Sequence, residues 1–503
     1  MPDDLAAAQA MISALREAIG HRDVEVARLT MIIKKLSRRQ FGQSAERLDP
    51  DQLALGLDDL ETGVGMAEAA LEAVDATLKA SRARRAGFRK LPAHLPRVGV
   101  TVDIEDKSCP CCGGALHVIG EDCAERLDVL PSQFRVLVTR RPKYACRSCT
   151  DGVVQAPAPA RLIEGGLPTE AMVAHVLMSK YADHLPLYRQ HQILVRQGVE
   201  IDRSCLADWV GRAAFALRPV TERLLAHLKR SAKLFCDETT APVLDPGRGK
   251  TKKGYLWAVA RDDRPWNGPE PPGVVFVYAP GRGGEHAMRA LEGFSGVLQV
   301  DGYGAYNALV KSRRPDAPLD LAFCWTHWRR EFFDLAKGGN APIATETIAR
   351  IAALYAIETE IRGKSAEERR AWRQAQTKPL VDDLFAWLEV RAERLPKGDL
   401  ADAIRYGLRR RDGLCRFLGD GRLEMDNNTV ERAIRPITLN RKNALFAGSD
   451  EGGVAWGVVA SLIETCKLNG VEPHRYLSDV LTKIVQGWPT SRVDDLLPWA
   501  YAA

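Results

Sequence analysis

Three acidic residues, far apart in the chain, have the type and setting needed to hold a divalent cation: Asp237, Asp301 and Glu431. Asp237 sits inside the apolar run 234–244, which reads as a buried strand. A carboxylate buried there is costly to keep ionised, so its presence calls for a partner. Asp301 closes a second apolar run, 296–301. Two carboxylates brought together repel each other unless a cation lies between them, and oxygen donors of this kind suit Mg2+ or Mn2+. Glu431 falls in the segment 425–437, where Asn427, Glu431 and Arg435 are four apart and share one helical face. Two alternatives stay open. Glu238 competes with Asp237, because neighbouring strand residues face opposite sides and only one can join the site. Asn428 followed by Glu431 also reads as a capping box, although a cap leaves the basic residues Arg432, Arg435, Arg441 and Lys442 beside it unexplained.

A second chemistry lies in the cysteines. Cys109 and Cys112 form one Cys-x-x-Cys pair and Cys146 and Cys149 another, with Gly113 and Gly114 supplying a tight turn after the first. Two such knuckles place four thiolates on one tetrahedral Zn2+, and the residues between them are enough for a strand pair: a structural zinc ribbon. A redox dithiol explains one pair but not two. Cys111 and Cys123 are left as ordinary thiols.

The elements that must position the carboxylates follow in a definite order. Runs at 234–244, 254–260 and 273–279 read as three meandering strands. A helix at 284–291, a strand at 296–301, a short helix, a strand at 319–324 and a helix at 326–337 follow. This is the order of a ribonuclease-H-like α/β core, in which the first and fourth strands are neighbours, so Asp237 lies beside Asp301. The charged helical stretch 341–421 reads as an insertion, and Glu431 arrives after it on the last helix of the core (422–447). A small helical domain (448–503) closes the chain, and its first helix is a candidate cover for a sheet edge.

Upstream lie modules suited to assembly and to phosphates. Apolar residues at helical spacing from Leu5 to Leu36 suggest a coiled-coil or oligomerisation region (1–80), though one helix packed in its own domain has the same pattern. The stretch 81–100 carries Arg84, Arg85, Arg89 and Lys90 among Gly and Pro, either a solvated linker or an arm along a phosphate backbone. The zinc ribbon spans 101–155. Helices at 169–180, 187–196 and from 202 onward give 165–230 a helix-turn-helix-like pattern, with Ser204 or Asp202 as N-cap and Arg203 near the start of the last helix. Plain three-helix packing fits equally.

Bulk composition adds limits. A chain of 503 residues exceeds one ordinary core and suggests roughly three to five units. Lys+Arg 71 against Asp+Glu 65 leaves only +6, so overall charge does not mark a nucleic-acid binder. The start lacks a signal peptide and no run approaches a membrane span, which predicts a soluble cytoplasmic protein, nucleoid-associated if it binds DNA.

Several motifs together resemble the DDE-type transposases of the insertion-sequence family sixty-six. They are the runs 41–49, 109–114, 120–122 and 141–149, the Cys236-Asp237-Glu238-Thr239 run, 301–307, 324–332, 426–436 and 441–449. The resemblance covers nearly the whole chain. It implies that Asp237, Asp301 and Glu431 are the catalytic triad, and that Cys324-x-x-His327 matches a signature found after the second Asp in relatives with an insertion domain. It implies cleavage and transfer of DNA strands with two Mg2+ (or Mn2+) ions about 3.5–4 Å apart in each active site, bridged by Asp237 and held by Asp301 and Glu431. It further implies double-stranded DNA ends and target as substrates, a homo-oligomer, and small accessory proteins of the same element. Arg432, Arg435, Arg441 and Lys442 are then candidates for the DNA backbone, with a solvated helix face as the plainer reading of each. Two rivals remain: a zinc-containing DNA-binding regulator, and a ribonuclease-H-like nuclease that cuts without joining.

Overall fold

The computed structural model describes residues 134–140, 142–145, 153–155, 158–163, 167–245, 250–311 and 318–502. The expected coiled coil, the basic arm with Arg84, Arg85, Arg89 and Lys90, and the knuckle cysteines Cys109, Cys112, Cys146 and Cys149 lie outside them. The chain divides into two compact units, Met1–Pro142 and Lys143–Ala503; the elements below belong to the second.

A short antiparallel ribbon, β1 (Lys143–Ala145) with β2 (Val153–Gln155), comes first. Helices α1 (Glu170–Tyr181), α2 (Leu187–Arg196) and α3 (Arg203–Leu228) follow. Gly198, at φ +77°, makes the left-handed turn after α2 that a side chain disfavours. Asp202 is the N-cap of α3, without a side-chain cap bond. α3 runs for 26 residues, well past the length of a recognition helix, because Leu206, Val210, Leu217, Val220, Leu224 and Leu228 continue one buried stripe. Its first three residues, Arg203 to Cys205, are exposed, while the stripe packs against α1 and the C-terminal helices.

The central sheet is mixed. β3 (Lys233–Asp245) pairs antiparallel with β4 (Lys250–Arg261), and β4 with β5 (Gly273–Ala279). After α4 (Gly284–Ala290), β6 (Gly296–Val300) lies parallel to β3. After α5 (Gly304–Lys311), β7 (Leu319–Phe323) lies parallel to β6. The strand order is β5-β4-β3-β6-β7, so β3 is central.

From β7 the chain enters α6 (Trp325–Ala336), whose Trp325, Trp328 and Phe332 become the hub of a second, helical core. That core is completed by α7 (Pro342–Glu360), α8 (Ala366–Trp372), a π-turn at Arg373–Thr377, α9 (Lys378–Ala392), α10 (Asp399–Leu408) and α11 (Arg411–Gly419). The buried indole N–H groups of Trp325 and Trp328 donate to the carbonyls of Leu414 and Ala403 at 2.8 and 2.9 Å. Two fully buried arginines brace it: Arg373 donates to Glu358 and to the carbonyls of Phe417, Asp420 and Leu423, and Arg369 to Glu358 and Glu424.

The chain returns to the sheet in α12 (Asn428–Ala444) and ends with α13 (Asp450–Leu468) and α14 (Pro473–Val485). α13 covers the β5 edge: the Val274 and Phe276 amides donate to Thr465 Oγ1 and Ser461 Oγ at 3.1 and 2.8 Å. Side-chain hydroxyls thus satisfy backbone donors that an open edge leaves bare. Among the described residues no helix is long and apolar enough to cross a membrane.

Candidate active site

The β3–β6 ladder pairs Lys233, Leu234 and Phe235 with Val297, Leu298 and Gln299. Continuing this register by two residues sets Asp237 opposite Asp301, just past the end of β6. Parallel partners share a face, so the ladder that pairs these strands also brings the two carboxylates together.

Glu431 reaches them because α12 is laid along β3 and tied to it at three points. At its start, Asn427 Nδ2 donates to the Cys236 carbonyl at 3.2 Å. Further on, Arg441 Nη1 donates to the Thr240 carbonyl and hydroxyl, both at 2.6 Å. Past its end, Ala447 bridges to β3 through Ala447 N to Pro242 O and Leu244 N to Ala447 O, at 2.8 and 2.9 Å. The segment before the helix is anchored as firmly. Gln299, two residues before Asp301, exchanges two hydrogen bonds with the Glu424 backbone at 2.8 and 3.0 Å. The Trp325 amide donates to the Met425 carbonyl at 3.0 Å, and the Asn427 amide to the Cys324 thiol at 3.2 Å. Glu431, one turn after Asn427, is held against the carboxyl end of the sheet. The capping box with Asn428 does not form: the N-cap is Asn427, and the Asn428 side chain instead donates to Asp426 at 2.6 Å.

The two acids of β3 have different surroundings. Glu238 accepts from Arg282 at 2.6 Å and from the Tyr306 hydroxyl at 3.1 Å. Asp237 accepts from the Glu238 amide at 2.8 Å, and no described cation pairs with it. Burial, then the negative charges of Glu238, Asp301 and Glu431, push the Asp237 carboxyl up to about 8. Burial also raises Asp426 to about 6. Glu431 Oε1 is buried and has no hydrogen-bond donor. A carboxylate cluster whose members repel one another, with a buried oxygen that no hydrogen bond satisfies, fits a hard divalent cation.

Cys324 and His327 stand beside Glu431, and among the described residues these three are the group close enough to share one ion, with Asp237 and Asp301 outside it. His327 Nδ1 stands 3.7 Å from Glu431 Oε1, and one donor atom from each of Cys324, His327 and Glu431 falls within 4.8 Å of the others. The signal for this pair is the Cys-x-x-His spacing at the N-terminus of α6. Burial holds the Cys324 thiol up at about 12, so it serves first as an acceptor for the Asn427 amide.

The basic candidates are dispersed. Arg203 and Arg441 line one cleft of about 580 Å3, between the start of α3 and the end of α12. Arg432 is exposed and borders a different cleft with Arg264 and Lys467. Lys442 is exposed and Arg435 half-buried. Arg441 has a structural duty in its Thr240 bonds. Residues that the sequence reading misses are Gln299, Glu424 and Arg282. Only Arg282 carries a visible signal, a lone cation in the turn Gly281-Arg282-Gly283-Gly284.

Comparison with known proteins places these features in a family. Residues 165–455 match the family model described as "Transposase IS66 family", and 461–499 match the "IS66 C-terminal element". Residues 106–150 match the "zinc-finger binding domain of transposase IS66", and 28–100 match the "Transposase C of IS166 homeodomain". Two relatives from Sinorhizobium fredii (strain NBRC 101917 / NGR234) span nearly everything. "Uncharacterized protein y4qI" is 47% identical over 99% of this chain and 93% of its own length. "Uncharacterized protein y4jD" is 43% identical over 100% and 97%. A third from the same strain, "Uncharacterized protein y4hP", is 37% identical over 95% and 89%. The models cover the chain from the N-terminal region through the zinc finger and the sheet to the last helices, and they carry a DNA-binding module and a family that uses divalent metal. The chain belongs to the IS66 transposase family.

Proposed function

We propose that this chain is a DDE transposase that binds the ends of an insertion sequence, cleaves DNA strands there and joins them to a target. The observation that carries this reading is the convergence on one sheet end of Asp237, Asp301 and Glu431 from β3, β6 and α12. The strand order, with parallel β3 and β6 at its middle, supports a ribonuclease-H-like core interrupted by a helical insertion.

Asp237, Asp301 and Glu431 would hold divalent cations, Mg2+ or Mn2+. Bound there, such cations supply Lewis-acid stabilisation of the attacking and leaving oxygens of a phosphodiester. The chain's own residues do the positioning. Gln299 fixes the segment that leads into α12, Asn427 ties its first turn to the Cys236 carbonyl beside Asp237, and Cys324 accepts the Asn427 amide. Glu238 stays with Arg282 and Tyr306, leaving Asp237 as the β3 ligand.

The surrounding modules complete the reading. Cys109, Cys112, Cys146 and Cys149 hold Zn2+ in a ribbon that contacts double-stranded DNA, with Arg84, Arg85, Arg89, Lys90, Arg203, Arg432, Arg435 and Lys442 as backbone contacts. Joining two ends needs two active sites held together, and the apolar spacing from Leu5 to Leu36 makes the N-terminal region the candidate for assembling a homo-oligomer. Small proteins of the same element act as accessories.

Labelled element ends incubated with Mg2+ and a supercoiled target test this. A joined product that disappears in Asp237→Asn, with binding to the ends kept, is the expected result. Cleavage without joining identifies a nuclease, and binding without cleavage a regulator; either sinks the proposal.

A further inference from the structure

Glu238 is buried for a reason that cation binding does not supply. Its side chain is 2% exposed, whereas that of its partner Arg282 is 45% exposed. An ordinary surface ion pair contributes little, and burying one carboxylate to make such a pair costs desolvation that an apolar residue at the same place avoids. What the arrangement achieves is geometric: it fixes a guanidinium at the rim of the carboxylate cluster. Arg282 Nε and Nη2 both lie 2.6 Å from Glu238 Oε1. The guanidinium lies over the Tyr303 ring, 3.9 Å from its centroid, and the Tyr303 hydroxyl donates to the Arg282 carbonyl at 3.1 Å. Tyr303 is itself tied to the cluster, its amide donating to Asp301 Oδ1 at 2.9 Å. Glu238, Tyr303 and Asp301 therefore hold one arginine still. Arg282 Nη1 has no hydrogen-bond partner among the described residues.

We propose that Arg282, seated on Glu238 and Tyr303, binds a phosphodiester of the DNA strand entering the Asp237–Asp301–Glu431 site, at a phosphate beside the one that reacts. The assignment rests on the transposase reading. A planar guanidinium with free N–H edges matches phosphate oxygens, and a cation at the rim of an acidic cluster offsets the repulsion a DNA strand meets there.

The test compares Glu238→Gln with the double variant Glu238→Gln/Arg282→Ala. Both are neutral at position 238, so neither leaves a buried unpaired carboxylate, and the Gln side chain keeps an acceptor for Tyr306. Binding to a short labelled duplex, cut from the DNA flanking the chain's own gene, is measured without Mg2+ across a series of salt concentrations. The double variant is expected to bind about tenfold more weakly than Glu238→Gln. The slope of log affinity against log salt should be less steep by about 0.9, the value of one lost phosphate contact. Arg282→Lys in place of Arg282→Ala should restore the slope without the full affinity, since a point charge lacks the fork. Equal slopes and affinities for wild type, the single and the double variant, with wild type cleaving normally, overturn this assignment alone. A wild-type protein that does not bind the duplex overturns both the assignment and the transposase reading.

Discussion

Replacing Asp237 by Asn should make the metal-free protein more stable, and increasingly so as pH rises. Burial and three neighbouring carboxylates hold this carboxyl at about 8 in the fold, against an ordinary 3.8. Because the folded value is raised, the native state keeps a proton that the unfolded chain releases. Stability therefore falls as pH rises from the unfolded value toward 8 and levels off above it. A displacement of this size is worth at most about 6 kcal/mol, and roughly half that once water relaxes around the cluster. The Asn side chain is isosteric and uncharged at every pH. Urea denaturation of the chelated proteins should show near-equal stability at pH about 4, and an advantage of about 2–3 kcal/mol for Asn at pH about 9. Added Mg2+ should recover most of that difference for wild type and little for the variant. Parallel stability curves for the two proteins across this range would refute the claim that Asp237 is strained by its acidic neighbours.

Three further outcomes follow from packing and from metal content. Gly302→Ala places a methyl group against the Tyr406 hydroxyl and ring, pushing the Asp301 loop off α10; a loss of about 1–3 kcal/mol is expected in denaturation, with a larger proportional loss of cleavage rate. Arg373→Ala leaves the Glu358 carboxylate only its 3.3 Å contact with Arg369 and strands three backbone carbonyls, so the helical core should lose about 3–5 kcal/mol, read as an earlier transition in tryptophan fluorescence. Full-length protein should carry one zinc ion per chain by elemental analysis, as one four-thiolate ribbon requires; Cys112→Ser should lose it together with DNA binding, and retained zinc would count against the ribbon.

The elements around Asp237 are legible in the sequence because strands of apolar and β-branched residues alternate with glycine-rich turns, and 187–196 and 273–279 fall where periodicity puts them. The face taken by Asp237 rather than Glu238 is not legible: alternation separates the two but carries no sign, and the sign comes from Arg282 and Tyr306, distant in sequence. α3 extends well beyond the helix-turn-helix pattern at its exposed start, because a buried stripe continues to Leu228. Within the insertion, helices are legible but their core is not. Arg369 and Arg373 look like surface residues in any composition count, yet they are fully buried: Glu358 and returning carbonyls take the Arg373 donors, while Arg369 pairs with Glu358 and Glu424 through Nη2 alone. The capping-box reading of Asn428 and Glu431 fails for a local reason: Asp426 takes the Asn428 side chain, and the N-cap falls one residue earlier in the motif.

The central claim is that Asp237, Asp301 and Glu431 form one cation site. Its most direct test is an anomalous-scattering map from crystals grown with Mn2+. The account predicts peaks in contact with all three carboxylates, absent from Asp237→Asn crystals grown in the same way. Mn2+ found only on Cys324 and His327, or unchanged at Glu431 when Asp237 is replaced, would contradict it.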